Sequence, residues 1–291
     1  MATLFVRVGF ALNGGELLRP SDVRRLLRLY GLAPRKADGQ NFVVDANTVR
    51  RIVAAARLEP GDVVLEVGPG LGSLTLALAQ QVRRVVAIEV DAGLAAAARD
   101  VLSQVPHVEV VHADVLAVDV DALVAERCRL VANLPYNVAT PIVMHALATD
   151  NVVDAFVMVQ REVGQRWAAE VGDRLRAGVS VKLALLANVE IAMTVPRTVF
   201  HPVPNVDSVM VRITRRADAP KAGERARVFA VVEAAFAQRR KTLRNTLRVL
   251  ASDAVLAAAA KRAAVDLHSR AEQVDAEAFR RLARELPVNT P

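Results

Sequence analysis

Along the first two-thirds of the chain, short runs of β-branched and other apolar residues alternate with stretches whose apolar positions recur at helical spacing. Residues 63–67, 85–90, 108–111 and 130–132 read as strands, and the intervening 74–81 and 94–102 read as helices. Residues 156–159 predict another strand, and 189–195 with 208–214 predict a closing pair. This rhythm of strand and helix predicts an α/β fold built on an open, doubly wound, largely parallel seven-stranded sheet. Ahead of the first strand, 47–57 is a helix capped at Asp45 or Asn47, either of which offers a side-chain oxygen to the first turn. After Thr214 the pattern changes. Residues 216–223 are a polar linker containing Pro220, and 224–250, 253–265 and 275–286 are helical and strand-free. The chain thus divides into an N-terminal extension and helix (1–36), a sheet domain (37–215) and a small all-helical C-terminal domain (216–291).

Composition adds bounds. Apolar residues make up 53% of the chain but aromatics only 4%, so Ala, Val and Leu must build the core; that suits helices packed on a buried parallel sheet. The single cysteine, Cys128, excludes a disulfide scaffold and a thiolate metal site and fits a reducing, cytoplasmic setting. No run reaches the roughly 18 apolar residues of a membrane span. Residues 1–11 carry Arg7 and no clear cleavage site, so neither a membrane anchor nor a signal peptide is expected. His107, His112, His145, His201 and His268 show no metal-ligand spacing, and no metal is expected.

Charge matters once it is located. From Arg215 to Pro291 there are 16 Lys and Arg against 9 Asp and Glu, which accounts for the whole net charge of +7 and leaves the rest of the chain neutral. An excess confined to the C-terminal quarter fits a polyanionic partner, nucleic acid before membrane. It equally fits a solvated helical face.

The strongest local signal is Glu66-Val67-Gly68-Pro69-Gly70-Leu71-Gly72, directly after a strand and opening a helix. Glycines there let the backbone turn sharply and approach a ligand closely. A dinucleotide fingerprint would want Gly or Ala at position 73, where this chain has Ser73. Glu89 ends the next strand, 19 residues after Gly70, the spacing at which a carboxylate meets both hydroxyls of a ribose. Asp114 ends the third strand, where it could accept from an adenine amine. A lone acid at a strand end is ordinarily solvated. Two of them beside a glycine turn outline an adenosine-shaped slot.

The fourth strand ends in Asn133-Leu134-Pro135-Tyr136. Adenine N6 is a poor nucleophile because its lone pair is delocalised into the ring. The Asn133 amide oxygen and a backbone carbonyl near Leu134 or Pro135 could each accept an N6 hydrogen bond and so turn the lone pair toward a sulfonium methyl. Tyr136 offers a face for a flipped base, and Pro135 restricts the backbone and removes a competing N–H. An Asx turn closed by proline would be the plain alternative.

These segments, with Gln40-Asn41-Phe42-Val43, 196–207 and 236–245, resemble the KsgA/RsmA family of ribosomal RNA adenine dimethyltransferases, from about Arg19 to the C-terminus. The resemblance implies a Rossmann-like methyltransferase sheet and S-adenosylmethionine as methyl donor. It further implies transfer of four methyl groups to N6 of two adjacent adenosines in the hairpin near the 3′ end of 16S rRNA, late in small-subunit assembly. It implies that Asn41 and Val43 touch the cofactor, that Gly68, in one turn with Gly70, lies at its methionine end, and that Glu89 meets the ribose and Asp114 the adenine. Asn133 falls between cofactor and target, and Phe200 matches an aromatic facing Tyr136 across the base. The chain departs from the family at Gly39, which is usually Leu, and at Val43, more often Leu.

In 236–245 a basic cluster joins an apolar stripe. On a helix, Phe236, Leu243 and Leu247 turn inward and leave Arg239, Arg240, Lys241 and Arg244 for RNA phosphates. The expected partners are small-subunit rRNA and the assembling small subunit, with the free protein monomeric. The rivals are a 23S rRNA adenine N6-methyltransferase conferring antibiotic resistance, a ribosome assembly factor with secondary methylation, and a nicotinamide dehydrogenase. Residues 196–207 and the helical C-terminal region disfavour the first, the intact 133–136 tetrad the second, and Ser73 the third.

Overall fold

The structure is a computed structural model that describes residues 16–34 and 40–287. The expectations for 1–15 and for Gly39 lie outside the described residues. In chain order the elements are α1 (Pro20–Leu29), β1 (Phe42–Val43), α2 (Ala46–Ala56), β2 (Val63–Val67), α3 (Ser73–Ala79), β3 (Arg84–Glu89), α4 (Ala92–Val101) and β4 (Val108–His112). There follow α5 (Val120–Val124), β5 (Cys128–Asn133), α6 (Ala139–Ala146), β6 (Val152–Gln160), α7 (Arg161–Trp167), α8 (Gly178–Leu186), β7 (Ala187–Val195), β8 (Phe200–His201) and β9 (Ser208–Arg215). The chain ends in α9 (Ala222–Phe236), α10 (Leu243–Leu247), α11 (Asp253–Ala263) and α12 (Ala276–Glu285).

Seven strands form one sheet in the order β4-β3-β2-β5-β6-β9-β7, and β4, β3, β2, β5 and β6 run parallel. The chain steps outward from β2 to β3 and β4 on one side, then returns to place β5 and β6 on the other. The carboxyl ends of β2 and β5 therefore flank a topological switch point, where open α/β sheets leave a crevice. Every residue of β2 is buried, and so is every residue of α3, which explains why neither shows an amphipathic period. Separately, β1 pairs antiparallel with β8, Phe42 opposite His201 and Val43 opposite Phe200.

All seven strands expected from the apolar runs are present in this sheet. Asp45, rather than Asn47, caps α2, its Oδ2 accepting the Thr48 N–H at 2.8 Å. The continuous helix expected over 224–250 is corrected to α9 and α10 with a turn between them. The cause is tertiary: the N–H groups of Leu243 and Arg244 donate to the carbonyls of Ser269 and Leu267, which removes them from a helical ladder.

The described residues form two compact units, one comprising the chain up to Arg161 with Ile191–Arg212, the other Glu162–Glu190 with the chain from Ile213. Leu26, Ile52, Leu78, Phe156 and Met210 belong to the core of the first. Val181, Val231, Leu243, Leu256 and Phe279 belong to that of the second.

Candidate active site

A cavity of about 760 Å³ lies at the carboxyl ends of β2, β3, β4 and β5, within the first unit. Its floor is the glycine turn. Gly68, Gly70 and Gly72 have φ of 72°, 58° and 86°, the left-handed region that residues with a Cβ avoid. Close packing adds a second requirement at Gly70, where a Cβ would lie 2.8 Å from the Phe42 ring. The turn in turn holds Glu89. Its Oε2 accepts the Gly70 N–H and its Oε1 the Asp91 N–H, each at 3.1 Å. Glu89 is buried, which raises its pKa, and each oxygen keeps a further lone pair for a ligand. Asp91 Oδ1 caps α4 through Gly93 and Leu94. Asp114 is exposed on the cavity wall and uses Oδ1 to accept the Leu116 N–H at 2.9 Å.

Glu66 is the polar member of the otherwise apolar strand β2. It lines the cavity, is 1% exposed, and its Oε2 has no hydrogen-bond partner. Burial pushes its pKa up to about 8, with the charge of Glu89 acting in the same direction. With Glu66 kept neutral by burial, Glu89, Asp91 and Asp114 give the cavity an acidic wall, with no Lys or Arg among its described lining residues. Such a wall suits a cationic ligand and repels a pyrophosphate.

Beside the glycine turn, Asn133 ends β5. Its Nδ2 donates to the Asn41 carbonyl at 2.9 Å, which commits the amide nitrogen and leaves Oδ1 as acceptor. Leu134 is buried and donates its N–H to the Met158 carbonyl at 3.2 Å. The Pro135 ring packs against Gly68. Asn41, Val43, Gly68, Gly70, Glu89, Asp114, Asn133, Leu134 and Pro135 thus all reach one cavity.

Tyr136 and Phe200 do not line it. Tyr136 is partly buried, its hydroxyl 2.8 Å from Ser208 Oγ, and burial raises its pKa. Phe200 is 2% exposed in the core of the first unit. The expectation that it faces a base thus meets a ring already enclosed, its strand paired with β1. Gln40, Glu66, Asp91 and Asn137 also line the cavity, Gln40 and Glu66 as members of motifs that give neither of them a role. The lone acid within an apolar strand was the available signal for Glu66.

In the second unit, Arg239, Arg240 and Lys241 are exposed on the turn after α9, and Arg244 is exposed on α10. Arg239 donates to the Arg174 carbonyl at 2.7 Å. Arg244 pairs with Asp253 at 3.1 Å, and Arg248 and Arg244 together hold that carboxyl well below its usual range. Leu243 and Leu247 are fully buried, as the apolar stripe implied, whereas Phe236 is half-buried.

The family model described as ribosomal RNA adenine dimethylase matches residues 31–287. Ribosomal RNA small subunit methyltransferase A of Thermobifida fusca is 49% identical over 279 residues, 94% of this chain and 97% of that protein. The protein of the same name from Leifsonia xyli is 48% identical over 280 residues, 94% of this chain and 99% of its own length. Among solved structures, the 23S rRNA methyltransferase ErmE is 32% identical with a TM-score of 0.65, covering 84% of this chain and 99% of that one. A dimethyladenosine transferase from Plasmodium falciparum, 21% identical, shares the fold with a TM-score of 0.71 over 82% of this chain and 94% of its own. A match that spans the glycine turn, both strand-end acids and Asn133, joined to relatives of near-equal length at almost half identity, places the chain in the ribosomal RNA adenine dimethylase family.

Proposed function

We propose that this chain transfers methyl groups from S-adenosylmethionine to N6 of two adjacent adenosines in the 3′-terminal hairpin of 16S rRNA, giving N6,N6-dimethyladenosines late in small-subunit biogenesis. The observation that carries the chemistry is Asn133, at the cavity wall with its amide nitrogen already committed to Asn41. The cavity fits the cofactor on three counts. Its volume lies within the range of small-molecule sites, its glycine turn gives backbone access, and its acidic wall matches a ligand with sulfonium and ammonium charges.

In this reading Glu89 holds the ribose, Asp114 the adenine, and Gly68 and Gly70 flank the methionine end, with Asn41 and Val43 closing the slot. Bound there, the cofactor supplies an electrophilic methyl group. Asn133 Oδ1 accepts a hydrogen bond from the target amine, with a backbone carbonyl near Leu134 or Pro135 as second acceptor, so that the N6 lone pair points along the line of transfer. Tyr136 is the stacking platform for the flipped base. Pro135 holds the backbone without offering a competing N–H. Asn133 acts as acceptor and orienter; an amide cannot serve as a base.

The helical region 216–291 is assigned to RNA through Arg239, Arg240, Lys241 and Arg244, with 37–215 as the methyltransferase domain. The protein is taken to be cytoplasmic, free of membrane and monomeric before it meets the subunit. Identity of 49% to proteins named for the small subunit, against 32% to a 23S enzyme, favours the small-subunit substrate. The test is incubation with labelled cofactor and either unmodified small subunits or large subunits, followed by mapping of the labelled nucleotide. Label in the 3′ hairpin of small-subunit rRNA is expected. Label only in large-subunit rRNA would substitute the resistance enzyme, and tight binding with no label would substitute an assembly factor.

A further inference from the structure

Tyr136 lies in the turn between β5 and α6, where neither a strand ladder nor a helix sets its side chain. Its orientation comes instead from a residue 72 positions away. The Tyr136 hydroxyl lies 2.8 Å from Oγ of Ser208, the first residue of β9. Ser208 is 0% exposed. Serine is mostly a surface residue, and a buried hydroxyl needs a partner. Among the described residues Tyr136 is the partner that Oγ has.

Ser208 is also a fixed point. Its neighbour Asp207 accepts the Arg197 N–H through Oδ1 and the Arg161 guanidinium through Oδ2, each at 3.0 Å. The Asp207 carbonyl accepts the Arg161 N–H, also at 3.0 Å. A ring on an irregular turn is thus tethered to a strand end that is itself held from two directions.

We propose that Ser208 is a positioning residue for methyl transfer: through its hydrogen bond to the Tyr136 hydroxyl it fixes the far end of the ring, and so the place and tilt of the long axis of the ring on which the target adenine stacks. The inference rests on the reading of Tyr136 as stacking platform. Packing alone does not call for this oxygen, because alanine would fill almost the same space. With the bond lost, the far end of the ring swings more freely and the amine spends less time at Asn133. The chemical step then slows, while subunit affinity, dominated by phosphate contacts, holds.

The test is a double-mutant cycle of Ser208→Ala and Tyr136→Phe, read by single-turnover methyl transfer to unmodified small subunits. Each single variant should slow transfer about fivefold to tenfold, in keeping with one neutral hydrogen bond. The double variant should be no slower than either single one. The KM for subunits and the cofactor affinity should stay at wild-type values. Ser208→Ala at the wild-type rate, or losses that multiply in the double variant, would overturn the inference. Should Ser208→Ala not fold, Tyr136→Phe decides, and a wild-type rate there overturns it equally. Tyr136→Ala separates the two layers. A wild-type rate in Tyr136→Ala removes the stacking platform and the inference with it. An impaired Tyr136→Ala beside an unimpaired Ser208→Ala removes the inference alone.

Discussion

Gly70→Ala is a one-carbon change whose effects should spread across the candidate site. Gly70 has φ of 58°, and a Cβ there would sit 2.8 Å from Phe42 Cε1 and 2.9 Å from Cδ1. The left-handed backbone costs a residue with a Cβ roughly 1–2 kcal/mol. Displacing the Phe42 ring, itself mostly buried, adds overpacking of about 1–3 kcal/mol. A total loss of roughly 2–5 kcal/mol should lower the melting temperature by several degrees. Function should suffer beyond stability. The Gly70 N–H holds Glu89, and Phe42 follows Asn41, whose carbonyl holds the Asn133 amide. Cofactor affinity should therefore fall about tenfold or more, equivalent to one charge-assisted hydrogen bond. The measurements are thermal melts and calorimetric titration with S-adenosylmethionine. Gly61→Ala, where a Cβ meets nothing within 4 Å and φ is not positive, is the control and should leave both unchanged. Adding Phe42→Leu to Gly70→Ala should recover the packing part of the loss but not the backbone part. A Gly70→Ala protein with wild-type melting temperature and affinity would refute both the strain and the coupling to Glu89.

Glu89→Ala should weaken S-adenosylmethionine binding about tenfold or more in a folded protein; unchanged affinity by calorimetry would remove Glu89 from the site. Asn133→Ala should slow single-turnover methylation on the order of 10²–10³-fold, by analogy with losing one preorganised oxyanion contact, and a wild-type rate would end the hydrogen-bond mechanism. Replacing Arg239, Arg240, Lys241 and Arg244 with Gln should weaken subunit binding and flatten its log–log salt dependence by roughly 0.7–0.9 per lost phosphate contact. The paired Arg244 should contribute least, and an unchanged salt slope would return the cluster to a solvated surface. Glu66 keeps its proton in the folded state up to about pH 8 but loses it near 4.5 when unfolded. Its contribution to stability therefore falls as pH rises through that window, by at most about 1.4 kcal/mol per unit. Melts of Glu66→Gln and wild type at pH 5.5 and pH 8 should show a gap that moves in favour of the variant at the higher pH; parallel melts would mean the burial does not shift this acid.

Where the sequence was readable and where it was not follows from the range of the interactions involved. The strand runs report burial on both faces, and a parallel sheet satisfies that whatever the partner, so 63–67 is recovered as β2 without knowing its neighbours. The glycine turn and Glu89 are also readable, because turn chemistry is local and the step to the next strand end is fixed by one βαβ unit. Failure begins where the deciding partner is distant. The helical period of 224–250 is real, yet Ser269 and Leu267 capture the N–H groups that would continue it, and periodicity carries no trace of that competition. Phe200 reads as an available aromatic, yet its pairing with Val43 belongs to an antiparallel ribbon of only two-residue strands, below what an apolar pattern can signal. The apolar residues of Gly178–Leu186 are spread around the helix, with Ser180 and Lys182 among them, so α8 has no distinct face from which to read a helix. The chemistry too depends on distant partners. Each member of the tetrad is visible one by one, but catalysis by an amide depends on which end of it faces the substrate. That is settled by a carbonyl 92 residues away, as the far end of the Tyr136 ring is tied to a serine 72 residues away. A sequence therefore names the groups that can accept a hydrogen bond, and the fold decides which of them are still free to do so.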